Sequence, residues 1–537
     1  MEDLPSDCFE FQKVSYQELS GLNPITKSYL FSSNADDFAS FKPNWKGIED
    51  AINKRANFKV YRKTLVEVLE EQYKSVEISE LTFQHIQKLK EENCYTFTTG
   101  HQLSLFTGPS YFFYKILSVV SLSKAAQKKF SGKHFVPVFW MASEDHDFEE
   151  IATTWVDGQK VTWKKNASGA VGRLNLEGLS EAFDSFVKAL GKNPQSEPFI
   201  ENVAKFIADS TTYAQFTFKM VNFLFAEYGV VAIDADHPKL KAKLKEVIKE
   251  DLFHQLTFKQ AKATADKILT QGFEEQIHIR EINFFYLKDG VRERIEKRGD
   301  LFRVLNSNIS FDAAEMHQEI KKHPERFSPN VALRPVYQET ILPNIAYVGG
   351  GAEVAYWLQL KSIFEKNKVF YPVVLLRDSA LMLPKKAKGW LNDLGLSIEK
   401  LFQNQELIFQ ELVKQKSTAN LSLADKKNAV IQVFDDLKPA AQKVQPTLQR
   451  TIEGEKQKIL NRLNAVEKKL LREEKKNNKV LENRLQKLFD MAYPNGTLQE
   501  RKANFLPFWV AYKKQILDSF VNQFEPTQAE FKVVFYS

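Results

Sequence analysis

The stretch Tyr95–Tyr114, YTFTTGHQLSLFTGPSYFFY, changes character halfway, and the rest of the chain is read outward from it. Tyr95, Phe97 and Thr99 alternate with Thr96 and Thr98, the two-residue period of a strand, and Gly100 to Pro109 break it. From Ser110 onward Tyr111, Tyr114, Lys115, Leu117 and Ser118 recur at helical spacing. Strand, glycine-bounded polar loop and helix make the entry unit of a nucleotide-binding α/β fold. Gly100 and Gly108 are expected to bring backbone N–H groups to an anion through positive φ, and Gln102 and Thr107 in the same loop are candidate substrate- or nucleotide-binding residues. The helix after Pro109 is expected to add its positive end. The pattern is neither G-x-G-x-x-G nor G-x-x-x-x-G-K-[ST], so an ordinary tight βα connection is the competing reading.

A second stretch, HFVPVFWMASEDHDFEEI, carries a nearly unbroken apolar run from Phe135 to Met141, as a parallel strand buried on both faces requires. It delivers Glu144, Asp145, His146 and Asp147 just past its carboxyl end, where open α/β sheets bind ligands. General acid/base work or cation binding is the sharp reading, and an acidic turn capping the next element is the plain one. Further on, Ile345–Val348 predicts a short strand, followed by Gly349, Gly350 and Gly351 and a helix bearing Glu353, Tyr356, Trp357 and Leu360. A triple glycine there suggests backbone close to a ligand, with no packing role, and a flexible βα turn is the competing reading. Arg334, with Gln338 one turn on, is a candidate carboxylate or phosphate fork. YPVVLLRDS predicts another strand, ending in Arg377, Asp378 and Ser379. A strand at Val230–Asp234 runs into Asp234, Asp236 and His237, which either face the crevice or form a polar strand-to-helix turn.

At 537 residues, 43% hydrophobic and 27% charged, the chain has the make-up of a globular protein of two or three domains. A net charge of +7 suits an anionic small substrate, whereas nucleic acid calls for a concentrated basic face. Cys8 and Cys94 are the only cysteines and no cysteine/histidine cluster occurs, so neither disulfides nor a metal site are expected; Mg2+ would enter only with a nucleotide. No basic-then-apolar leader or membrane-length apolar run is present, which predicts a cytoplasmic protein. The expected divisions are 1–149, helices such as those around Ile48 and Leu65 and then the first part of an α/β core; 150–329, inserted hairpins and helices; 330–385, the second part of the core; 386–494, a helical coiled coil; and 495–537, a return to the core. Asp157-Gly158 and Asp289-Gly290 mark hairpin tips. Ile459, Leu463, Val466 and Leu470 step by four, three and four along a helix expected from about Gln442 to Asp490, roughly 70 Å long. Leu407–Leu437 is its expected antiparallel partner, and the apolar seam predicts a homodimer.

Four stretches, TGHQLSLFTGPSYFFYKI, VPVFWMASEDHDFEEI, SPNVALRPVYQETILPNIAYVGGGAEVAYW and YPVVLLRDS, together resemble the BshC family, the cysteine ligases of bacillithiol biosynthesis. The resemblance runs in order over nearly the whole chain, including the coiled-coil stretch and NGTLQER at Asn495–Arg501. His101 stands where glutamine is common, and Gly351 lies in a loop that often reads Gly-Gly-Pro-Gly/Ala-Glu. The resemblance implies a Rossmann-like core similar to class I nucleotidyltransferases, connecting insertions and a dimerising coiled coil. It also implies addition of L-cysteine to glucosaminyl-malate, with ATP or ADP as the nucleotide. A carboxylate does not acylate an amine at neutral pH, so activation as an adenylate or acyl phosphate is required. His101 is then the expected donor to charge on phosphate, and Asp145 or His146 the base for the incoming amine. An adenylating ligase for another amino acid, and a nucleotide-binding scaffold without catalysis, are the alternatives.

Overall fold

The computed structural model describes residues 8–19, 21–288, 290–416 and 423–537. Asp289 of the second expected hairpin tip lies outside them. The central sheet is built from β1 (Cys94–His101), β2 (His134–Met141), β3 (Val231–Asp234), β4 (Asn344–Gly349) and β5 (Val373–Leu376). Its order is β5-β4-β1-β2-β3 and every pairing is parallel. All of β1 and β4 and nearly all of β2 are buried, the condition for a sheet covered on both faces. The Rossmann-like α/β expectation therefore holds. β1 runs two residues further than its alternating pattern implied, because Gly100 and His101 still pair with Trp140 and Met141.

The chain moves outward from β1 through β2 to β3, then crosses to the other side of β1 for β4 and β5. This reversal makes a topological switch point between β1 and β4, where the crevice of such sheets opens. His101 is level with Met141, Met141 with Asp234, and Gly349 with Leu376. The loops after all five strands thus leave one edge. The span 150–329 is more than a pendant, since it supplies β3.

Three helices flank this edge: α1 (Tyr111–Lys129), α2 (Arg334–Ile341) and α3 (Gly351–Lys366). α1 is buried nearly all round, so its sequence lacks a clean polar stripe. The helix Trp45–Arg55 lays Ile48, Ala51 and Ile52 into a core with Phe97, Leu122, Phe135 and Ile345. The rings of Phe97 and Phe135 stack there at 5.2 Å.

The hairpin Thr153–Val156/Gln159–Thr162 forms as expected, with Asp157 at φ 45° and Gly158 at φ 79° in its primed turn. A five-stranded antiparallel sheet contains Phe284–Lys288 and Val291–Arg298 as neighbours. A third sheet joins Phe9–Ser15, Glu530–Tyr536 and Ser379–Pro384 in that order. Its first strand lies in a region whose pattern suggested mostly helices.

Two compact units divide the chain, one of residues 1–381 with 497–534, the other of 382–496 with 535–537. In the second, the single helix expected over 442–490 is interrupted twice. Gln445 turns extended before Pro446, and Asn478 separates Leu448–Asn477 from Lys479–Ala492. The longest piece has 30 residues, about 45 Å. Ala424–Val444 packs antiparallel on it through Lys427–Glu467, Lys438–Glu453 and Lys456–Asp435. No helix among the described residues is long and apolar enough to cross a membrane.

Candidate functional site

At the switch point α1 supplies a buried lysine, Lys115. Its Nζ donates to the Gly100 carbonyl at 2.8 Å and pairs with Glu353 at 2.5 Å. Glu353 also accepts from the Gly350 N–H at 2.8 Å and the Tyr347 hydroxyl at 2.5 Å. Burial alone would raise this carboxyl, but the ammonium and the two donors hold it at about 2. Burial also lowers Lys115, with Glu353 opposing. Lys115 thus bridges the end of β1, through the Gly100 carbonyl, and the first turn of α3, through Glu353.

The three glycines between β4 and α3 differ. None has positive φ. A Cβ on Gly349 would stand 2.9 Å from both Tyr347 and Glu353, and one on Gly351 would meet Leu22 at 3.0 Å. These two are required by packing, contrary to the expectation from sequence. Only Gly350 has room, with Glu353 Oε2 at 3.5 Å and Arg377 Nε at 3.9 Å from its would-be Cβ. Gly100 likewise lacks positive φ. Its missing side chain leaves space beside Arg334 Nη1, which would lie 3.5 Å from a Cβ there.

Arg334, at the start of α2, donates to Gln338 at 3.0 Å and lies over the Tyr347 ring at 5.5 Å, with Tyr356 as a further hydrogen-bond partner. Among the described residues no carboxylate lies within ion-pair distance of it. Arg377 is different: its fork is closed by Glu500 at 2.9 and 2.7 Å, and Nη1 also reaches Ser379. Arg377, a candidate ligand-binding residue from its place at a strand end, is therefore a strut between β5 and the Gln499–Arg501 turn, with its charge taken by Glu500.

The acidic loop after β2 divides by role. Glu144 forms a buried ion pair with Lys241, which also holds Asp236 at 3.1 Å. Asp236 takes a bidentate contact from Arg173, while Asp234 accepts from Ser143 and the Asp236 N–H. The group after β3 is thus the polar turn, and Glu144 belongs to it. Asp147 caps the short helix Phe148–Ile151 through the Glu150 N–H at 3.0 Å. Asp145 accepts from the His146 N–H at 2.7 Å and from Gln102 Nε2 at 2.7 Å, and Gln102 also reaches Glu150 at 2.8 Å. Burial would raise the Asp145 carboxyl, but the neighbouring His146 side chain, the Gln102 amide and the charge of Arg292 pull it well below the usual range. It is an ionised anchor and a poor proton acceptor. His146 is half exposed, and Arg292 Nη1 lies 2.6 Å from its Nδ1.

His101 stacks on Tyr111 at 5.1 Å, and its Nδ1 donates to the Gln102 carbonyl at 2.9 Å. Burial first, and then the charges of Lys115 and Arg377, hold it neutral, at about 3. With Nδ1 carrying the proton, Nε2 is an acceptor. The expected role as a donor to phosphate does not fit this tautomer.

The loop itself is taut. Phe106, Thr107 and Gly108 have φ of 46°, 70° and 64° in succession. Phe106 is the anchor, buried against Phe183, Phe186 and Phe216. A Cβ on Gly108 would lie 2.5 Å from that of Ser104. The Ser110 N–H, at the entry to α1, is taken by the Ala503 carbonyl at 2.8 Å, so it is not available to an anion. Beside the loop lies a cavity of about 360 Å³, lined by Gln102, Tyr111, Glu150, Trp155, Arg501 and Lys502 among others. Lys502 Nζ sits 4.2 Å above the Trp155 ring, and among the described residues neither cation has a carboxylate at ion-pair distance. Sequence reading had not singled out Arg501, Lys502, Trp155, Lys115 or Arg292 as site residues. Lys115 stands in the helical pattern of the opening stretch, and the other four lie far from it in sequence, marked there only by charge or aromaticity.

Comparison with known proteins agrees with this architecture. Residues 10–378 match the family model "Bacillithiol biosynthesis BshC, N-terminal Rossmann-like domain". Residues 380–536 match "Bacillithiol biosynthesis BshC, C-terminal coiled-coil domain". Proteins named "Putative cysteine ligase BshC" from Cytophaga hutchinsonii, Flavobacterium johnsoniae and Christiangramia forsetii are 38%, 36% and 35% identical to it. These alignments cover 96%, 99% and 99% of this chain, and 97%, 100% and 99% of the relatives. With both family models matched in order and relatives aligned from end to end, this chain belongs to the BshC family of bacillithiol biosynthesis.

Proposed function

We propose that the protein is a ligase that joins the carboxyl of L-cysteine to the amine of glucosaminyl-malate, giving bacillithiol. The observation that carries the reading is Arg334, a guanidinium at the switch point with no carboxylate partner among the described residues. A cation kept open in this place suits an anionic group of the substrate or of a nucleotide. Arg501 and Lys502 offer a second open positive region in the neighbouring cavity, and the two regions fit a reaction with more than one anionic reactant. ATP, when bound, would supply the group that activates the cysteine carboxyl, and Mg2+ would accompany it.

The protein's own residues then have separable tasks. Arg334 orients an anionic oxygen over the glycine at position 100. The Lys115–Glu353 pair holds β1 and α3 at a fixed separation, so that Gly350 presents an uncluttered wall. His101 accepts a hydrogen bond from a hydroxyl or N–H of the reactants. Asp145, kept ionised, orients Gln102 and attracts the incoming ammonium, while the Asp145 pKa argues against its keeping the amine's proton.

An adenylating ligase for another amino acid would use the same site. A binding scaffold has less support, since unpaired cations at two adjoining sites exceed what one regulatory nucleotide needs. Incubation of the purified protein with cysteine, glucosaminyl-malate and ATP should yield the thiol conjugate by mass spectrometry, together with AMP or ADP. Conjugates from serine or alanine at equal rate would favour the broader ligase. No conjugate under any nucleotide would remove the enzymatic reading.

A further inference from the structure

Arg292 lies on the Val291–Arg298 strand of the antiparallel sheet, about 150 residues from the loop it touches. It is buried, its guanidinium stacks on the Phe285 ring at 4.0 Å, and Nε donates to Ser328 Oγ at 3.1 Å. Those two contacts fix the plane of the fork. Nη1 then points at His146 Nδ1, 2.6 Å away, while Asp145 Oδ1 is 3.6 Å from the same nitrogen.

A guanidinium has donors only and does not lose its proton in proteins. The nitrogen facing it at 2.6 Å must therefore offer a lone pair, which places the proton of the neutral imidazole on Nε2. We infer that Arg292 is a positioning residue that fixes His146 as the Nε2–H tautomer, so that His146 meets the reactants as a hydrogen-bond donor to an oxygen on which negative charge develops. It is thereby unsuited to the role of base. This assignment rests on the proposed ligase reading for its catalytic meaning, but not for the tautomer. His101, whose Nδ1–H is taken by the Gln102 carbonyl, has the opposite arrangement. The edge of the sheet thus carries one histidine acceptor and one histidine donor, each set by a partner that cannot change role.

Full-length protein labelled with 15N-histidine gives the test through long-range 1H–15N correlation spectra, with the two rings assigned by His146→Gln and His101→Gln. The expected spectrum has a pyridine-type Nδ1 and pyrrole-type Nε2 for His146, and the reverse for His101. A pyrrole-type Nδ1 at His146 in the wild type overturns the proposal without reference to any activity. Arg292→Met should convert His146 to a mixture of tautomers, and Arg292→Lys, which keeps an N–H donor, should restore the pattern in part. Partners that fix a histidine ring at metal sites are worth about 10- to 100-fold in activity. A kcat loss of that order for Arg292→Met, with KM little changed and partial rescue by Arg292→Lys, supports the catalytic role. Conjugate formation at the wild-type rate by Arg292→Met and by His146→Phe overturns that role, even with the tautomer confirmed. Absence of conjugate from the wild type would instead count against the ligase reading.

Discussion

Adjacent glycines at 349 and 350 are under different constraints, and substitution separates them. Gly349→Ala forces a Cβ to within 2.9 Å of Tyr347 and Glu353, so thermal unfolding should shift down, by about 1–3 kcal/mol for an overpacked core position. Gly350→Val meets nothing closer than 3.5 Å at its Cβ, so the fold should survive while the added side chain occupies the crevice wall. Calorimetric titration with ATP and with glucosaminyl-malate should show weaker binding of at least one of them, and unchanged affinity for both would exclude ligand from that wall. Arg334→Gln removes the open cation. A hydrogen bond to a charged group is worth about 1.5–3 kcal/mol, so affinity for the ligand it holds should fall by roughly one to two orders of magnitude. The positions best legible in the sequence were those the fold brings to the sheet edge, such as His101 and Gly350 at strand ends and Arg334 beside Gly100. Roles were less legible, because a role depends on the partner. Arg377 and Glu144 look like ligand-binding residues until Glu500 and Lys241, about 100 residues or more away, are seen to neutralise them.

Among the elements, the Gly100–Pro109 loop and the β1–β4 junction each carry a separable load. Phe106 secures the loop by inserting into the Phe183/Phe186/Phe216 cluster, and Phe106→Ala should cost about 3–5 kcal/mol in urea unfolding. At the junction, Thr96 and Thr98 donate to Asn344 Oδ1, and Asn344 and Gln338 both donate to Glu339 Oε1. Burial pushes the Glu339 carboxyl up to about 7, against roughly 4.3 in an unfolded chain. Below that lower value both states are protonated and the buried carboxyl carries no penalty. Between it and about pH 7 only the unfolded chain gives up the proton, so stability declines across this window and then levels. Glu339→Gln should accordingly be near neutral at pH 4 and stabilising at pH 8; an equal effect at both would show that burial does not raise the Glu339 carboxyl. The sheet strands were legible because runs such as Phe135–Met141 and Ile345–Val348 are almost wholly apolar and Tyr95–Thr99 alternates with a two-residue period. The strand Phe9–Ser15 was not, since most of it is only half-buried and its partner comes more than 500 residues later. The break at Asn478 lacks the proline that marks the one at 446.

For the molecule as a whole, the helical unit leaves apolar side chains uncovered. Val466 and Leu470 are 47% and 42% exposed and Val480 is 66% exposed, although the helix bearing the first two already has an antiparallel neighbour. A second copy of the chain is the expected cover. Replacing Leu463, Val466 and Leu470 together with lysine should convert a dimer to monomers in light scattering, and an undisturbed dimer would place the interface elsewhere. The sheet that joins Phe9–Ser15, Glu530–Tyr536 and Ser379–Pro384 bears on how the protein is made. Its middle strand is translated after both neighbours. At roughly 5–20 residues per second, the Phe9–Ser15 strand waits on the order of half a minute to two minutes for the partner that satisfies its backbone. Through that interval the Phe9–Ser15 strand travels unpaired on the nascent chain, joined by the Ser379–Pro384 strand once residue 384 is made, and a ribosome that stalls between there and residue 530 releases a polypeptide with both still able to recruit a foreign strand.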